Sequence, residues 1–106
     1  MIASFGDDDT ALLAAGRDVA RLRHIVSAAR RRLDLLESAS SLADLLVPPG
    51  NRLHRLKGPW ARYHSIRVNE QYRIVFRWEG RACHDVSIID YHKASATDDK
   101  VHDTRR

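Results

Sequence analysis

Two short stretches of this 106-residue chain hold side chains able to move a proton beside a phosphate. His54 and Lys57 lie three residues apart in RLHRLKG, and Asp90, Tyr91 and His92 close the apolar run VSIIDYH with a carboxylate, a phenol and an imidazole. Between them Arg67, Arg73 and Arg77 stand at alternate positions of β-patterned segments, where guanidinium forks bind phosphate oxygens in pairs. Cleaving an RNA phosphodiester needs a base for the 2′-hydroxyl, an acid for the 5′-oxygen and fixed positive charge on the pentavalent transition state. His54, Lys57, Asp90, Tyr91 and His92 can serve the proton transfers, and Lys57, Arg67, Arg73 and Arg77 can hold the phosphate. Cys83, His84 and Asp85 are adjacent, but strand alternation turns His84 away from its neighbours, poor chelate geometry, so no metal and no cofactor is expected.

The elements that must position these groups follow from periodicity. Met1 to Phe5 is β-compatible, and Asp7 to Asp9 supply a cap and first-turn carboxylates for a short helix over Thr10 to Ala15, ended by Gly16. From Arg17 to Glu37, Val19, Leu22, Val26, Ala29, Leu33 and Leu36 recur at three and four, which predicts one long amphipathic helix. Ser41 and Asp44 form a capping-box-like start for a turn carrying Leu42, Leu45 and Leu46. Val47-Pro48-Pro49-Gly50-Asn51 breaks the helical pattern, because two prolines remove backbone donors. Beyond it the period becomes two. His64, Ile66 and Val68, then Tyr72, Ile74, Phe76 and Trp78, then Ala82 to Ile89 predict a three-stranded antiparallel meander with turns near Asn69-Glu70 and Glu79-Gly80-Arg81. One face should cover the long helix, leaving Ser65, Arg67, Arg73 and Arg77 on the other. The fold class is therefore α+β, one domain over residues 1–94, with a polar tail at 95–106 expected to be disordered.

Composition narrows the partners. Eighteen Lys and Arg against fourteen Asp and Glu give a net charge of +4. Residues 50–80 alone hold seven basic against two acidic residues, a local net of +5 that favours a polyanion. A single cysteine allows no intramolecular disulfide. The first residues lack the basic and apolar regions of a signal peptide, and no apolar run nears the roughly 18 residues of a membrane span. A cytoplasmic protein with no membrane partner is expected.

In order, ARRRLDLLESASSLADLLVPPGNRLHRLKG, YHSIRVNEQYRIVFRW and DVSIIDYH resemble the HigB branch of the RelE/ParE toxin superfamily, from about Ile2 to His92. The resemblance implies two N-terminal helices packed on a twisted, mainly antiparallel sheet that includes the first strand. It implies a toxin of a type II toxin–antitoxin pair that cuts mRNA in the ribosomal A site, is held inactive by a HigA-like helix-turn-helix antitoxin, and meets operator DNA through that complex. By position it carries over His54, Lys57, Arg73, Asp90, Tyr91 and His92, with His92 an important catalytic group and the basic residues on the scissile phosphate; base and acid are left unassigned. Two other readings use the same chain: a ParE-like poison of DNA gyrase, which needs none of those proton-transfer groups, and a non-catalytic subunit of an operator-binding antitoxin complex.

Overall fold

The computed structural model describes residues 1–91, so His92 and the tail at 95–106 lie outside the described residues. Helices α1 (Asp8–Ala14) and α2 (Val26–Ser38) precede four strands: β1 (His54–Arg55), β2 (Tyr63–Arg67), β3 (Tyr72–Glu79) and β4 (Ala82–Asp90). The strands form one antiparallel sheet in the order β1-β2-β3-β4. The α+β class and the meander are as the periodicity predicted.

Two expectations change. The single long helix is broken: residues Ala20–Ile25 form a 3₁₀ segment, and α2 begins only at Val26. The buried residues explain the break. Val19, Leu22 and Ile25 recur at intervals of three, which is the 3₁₀ period, while Ala29, Leu33 and Leu36 follow the α-helical spacing. The second change is β1. His54 and Arg55 pair with Ser65 and His64, so two residues of RLHRLKG join the sheet as its edge strand instead of lying ahead of the meander.

The sheet has one dry side. Ile66, Ile74, Phe76, Val86 and Ile88 pack with Leu22, Ala29, Leu33 and Leu36 in one apolar cluster, each no more than 4% exposed. The hairpin turns follow local chemistry. Asn69 Oδ1 accepts from the Gln71 and Tyr72 amides, and Gly80 takes the left-handed φ of 63° that the two-residue β3–β4 turn requires.

The outer edge of β4 would be an open row of backbone donors and acceptors. The chain's first residues cover it. Ala3 and Gly6 donate to the Cys83 and Val86 carbonyls, Cys83 and Val86 donate to the Met1 and Ser4 carbonyls, and the bridges at Ile2–Cys83 and Phe5–Val86 run parallel. Further along, the buried Thr10 hydroxyl accepts from the Ile88 amide at 2.9 Å. Asp7 caps α1 by accepting from the Thr10 amide at 2.7 Å, which aims that helix at the edge.

Thr10→Val keeps the shape of the side chain but strands the buried Ile88 amide, at a cost of about 1–3 kcal/mol. Thermal unfolding is expected to shift down by about 4 °C or more, and Thr10→Ser to restore most of the loss.

Candidate active site

Because alternate residues of a strand face opposite ways, spending Tyr72, Ile74 and Phe76 on the core turns Arg73, Val75 and Arg77 outward. The register then lines up the neighbours: Arg67, Arg73 and Ile89 cross the sheet in one row, and His54, Ser65, Val75 and Ser87 in the next. His54 is therefore on the same face as Arg67 and Arg73, although it comes from a separate edge strand.

Arg73 is the centre of this face. Its Nε donates to Ser65 Oγ at 2.9 Å, its Nη2 donates to the Arg52 carbonyl, and its guanidinium carbon lies 5.2 Å from the Tyr91 ring centroid. Guanidinium carries five N–H donors, so among the described residues three remain for a ligand. Burial is the main cause that pushes Arg73 below its ordinary pKa; Tyr91 counters it, and Arg67 and Arg52 add to it. Arginine stays cationic through such shifts, and the strain is relieved when an anion arrives.

Arg67 and Arg73 are directly opposed across β2 and β3, a like-charge pair that disfavours the sheet. The ion pairs formed among the described residues use Arg21, Arg23, Arg62 and Arg77, and leave out Arg52, Arg67 and Arg73. Arg32 on α2 donates to the Arg67 carbonyl at 2.9 Å and ties the end of β2 to the helix layer.

Arg52 was not singled out in the sequence and Ser65 only as an outward residue beside the arginines, and both hold Arg73. The sequence signals were faint: Ser65 is a small hydroxyl flanked by bulkier neighbours, and Arg52 follows the Pro-Pro-Gly-Asn breaker; in the fold Ser65 is 0% exposed. Asn51 is buried and donates from its amide to the Leu45 and Val47 carbonyls, both at 3.2 Å, which pins the turn. Arg52 then takes a left-handed φ of 47°, unusual without glycine, and presents its carbonyl to Arg73.

The Asp90-Tyr91 pair divides between the two sides. Asp90 is the cross-strand partner of the buried Tyr72, so alternation turns it toward the helices, while Tyr91 meets Arg73 on the outer side. Gln71 holds both: its side-chain amide donates to Asp90 Oδ2 at 2.9 Å, and its carbonyl accepts from the Tyr91 amide at 2.7 Å. Arg77 shares the outer face but is engaged elsewhere, donating from Nε to Asp85 at 2.9 Å and from Nη1 to Glu79. Its place four residues along β3 puts it about 13 Å from Arg73. Lys57 is exposed just after β1, at the entry to the turn Gly58–Trp60. The structure thus brings Arg73, Arg67, His54 and Tyr91 to one face, sets Asp90 behind it and Arg77 apart, and does not describe His92.

A profile of the RelE-like toxin of the type II toxin–antitoxin system HigB matches residues 5–92. The chain belongs to the HigB-like toxin family. Toxin HigB-1 of Vibrio cholerae serotype O1 is 43% identical over 70 residues, covering 65% of this chain and 72% of that protein. An uncharacterized protein of Haemophilus influenzae is 39% identical over 49 residues, 46% of this chain and 48% of that one. As a HigB-like toxin of a type II system the chain has an antitoxin for a partner. Among its described residues no helix is long and apolar enough to cross a membrane.

Two histidines of this HigB-like chain are neighbours across β1 and β2 but face opposite ways. His64 pairs with Phe76 on the core side, their rings stacked at 6.0 Å. Burial pushes its pKa below the ordinary 6.5, and the Arg55 charge adds to this. Its neutral form is the one the fold prefers, so its contribution to stability is present above about pH 6.5 and is lost as pH falls through the lower folded value. NMR titration is expected to give His64 a midpoint below 6.5; Arg55→Gln should raise it but leave it below 6.5, because burial is the larger cause. A His64→Gln variant should lose less stability than the parent between pH 7 and 5.

Proposed function

We propose that this HigB-like toxin is a ribosome-dependent endoribonuclease that cuts translated mRNA in the A site and so stops translation and growth. The observation that carries the reading is the opposed Arg67–Arg73 pair with Arg73 held by Ser65, Arg52 and Tyr91. Such a pair lowers stability, and it is kept where an anion relieves it. In this reading Arg73, Arg67 and Lys57 bind the scissile phosphate, and Arg77 adds to the basic face at a distance.

The chemistry is transesterification by the neighbouring 2′-hydroxyl. A base removes its proton, the oxygen attacks phosphorus, and the 5′-oxygen leaves with a proton from an acid, giving a 2′,3′-cyclic phosphate. Both partners of the bond change lie in the RNA, so the protein need only transfer protons and stabilise charge, without a cofactor. His54, Tyr91 and His92 are the proton-transfer candidates, and Asp90, bonded to Gln71 behind that face, is a candidate for positioning the end of β4 that carries Tyr91. The ribosome supplies much of the substrate's orientation. Residues 1–94 act as the toxin domain in the cytoplasm, a HigA-like helix-turn-helix antitoxin neutralises it, and that complex carries it to operator DNA.

Primer extension on mRNA after induction is expected to show new 5′ ends within translated codons. Growth arrest with intact transcripts would sink the nuclease reading in favour of a gyrase poison. Arg73→Ala and His92→Ala should each slow cleavage about 100-fold or more while still binding antitoxin in a pull-down; full toxicity in both would overturn the site assignment.

A further inference from the structure

Beside the arginine row the outer face holds a cavity of about 320 Å³, within the range of small-molecule sites. Val75, Ser87 and Ile89 of the sheet line it together with Trp60, Tyr63 and Asp85, and Gly6 and Asp7 complete the lining. Three observations say what it takes. First, Trp60 and Tyr63 meet edge to face, with centroids 5.2 Å apart and planes at 73°. One ring lends its edge in such a pair, so a π face stays open for a planar ligand.

Second, the cavity adjoins the arginine row. Ile89 on its lining is the cross-strand partner of Arg73, whereas Tyr63 pairs with Arg77 and Asp85 accepts from it, so the aromatic and acidic groups lie four residues along β3 from Arg73, about 13 Å away. That separation suits a phosphate at Arg73 and a base further along the same strand.

Third, a bulge aims a carboxylate into the wall. Register slips between Val75 and Arg77, and Asp85 on the opposing strand takes a left-handed φ of 54°. Its amide donates to Ser4 Oγ at 2.8 Å, and Arg77 Nε donates to its Oδ2 at 2.9 Å. Bulges re-aim side chains beside functional sites, and a strained residue persists only where its surroundings over-determine it. Gly6 closes the same end so tightly that a Cβ there would stand 2.3 Å from Ser87 Oγ. Arg77 is shared between Asp85 and Glu79, Glu79 is also met by Arg62, and Asp7, the second carboxylate of the lining, lies 3.6 Å from Arg21, so each acceptor of this end has a cation beside it.

We propose that this cavity is a nucleobase subsite that stacks a base of the RNA on Trp60 and Tyr63 and reads its exocyclic amino group with Asp85. A carboxylate accepts from the exocyclic amino group of adenine, cytosine or guanine, whereas uracil has no such group and is disfavoured. The RNA context rests on the nuclease reading above; binding of the base does not.

The test titrates ¹⁵N,¹³C-labelled protein with AMP, CMP, GMP and UMP. The Trp60 indole and Val75 methyl signals are expected to shift with the first three, and UMP to bind about tenfold more weakly, equivalent to about 1.4 kcal/mol. Trp60→Ala should lose the Val75 shift and Trp60→Phe retain it. Asp85→Asn keeps a residue type that tolerates positive φ and should bring UMP within about threefold of AMP. Shifts confined to Arg73 and Tyr91, or unchanged by Trp60→Ala, overturn the subsite. A Trp60 signal that answers to antitoxin and to no nucleotide makes the cavity a protein contact and also overturns it. In mapped mRNA the Trp60→Ala and Asp85→Asn variants should redistribute cut sites toward other bases; a wild-type protein that cuts no mRNA defeats the nuclease reading, and the titration still decides the cavity.

Discussion

Burial of one side of a three-strand meander is the constraint on which everything else in this molecule depends. With Ile66, Ile74, Phe76, Val86 and Ile88 packed against the helix layer, the residues between them have no choice of side. Arg67, Arg73, Val75, Ser65, Ser87 and Ile89 must share the opposite face, and a slip of one residue in any pairing would send the arginines into the core. The hydrophobic register that holds the fold together is thus also what assembles the basic surface.

That surface is arranged against stability. Two arginines face each other across β2 and β3, and the central one is half-buried, with its donors partly engaged by a serine hydroxyl and a backbone carbonyl. Such an arrangement holds because the rest of the sheet is well supported: β4's free edge is covered by the N-terminal segment, Thr10 fills the next gap, and Arg32 fastens the end of β2. Stability is concentrated on the helix side, and the outer side carries the charge repulsion, the left-handed Arg52 and the bulge at Asp85.

The same face separates into two regions of different chemistry. Around Arg73 the charge is positive and uncompensated among the described residues, suited to a phosphate. Around Trp60 and Tyr63 the arginine is already matched by carboxylates, and the surface is aromatic with an acceptor on its wall. Arg77 looked in sequence like a third member of the arginine row, and the bulge opposite it makes it the partner of Asp85.

Period-two alternation in residues 63–89 was enough to read the meander, its dry side and the outward arginines, because each depends only on spacing along a strand. The helix from Arg17 was misread at its start, since Val19, Leu22 and Val26 carry the three-and-four spacing of an α-helix, whereas the residues the fold buries there are Val19, Leu22 and Ile25, at the 3₁₀ interval. The chemistry-bearing types of His54, Lys57, Arg67, Arg73, Asp90 and Tyr91 were also plain in the sequence. Which of them meet was not. His54 reaches the arginine face only because two residues after the Pro-Pro turn join the sheet, and Asp90 and Tyr91 part company because pairing with Tyr72 fixes which side each one takes. Ser65, Arg52 and Asp85 acquire their places from contacts between segments distant in the chain, and contacts of that kind leave no periodic trace in a single sequence.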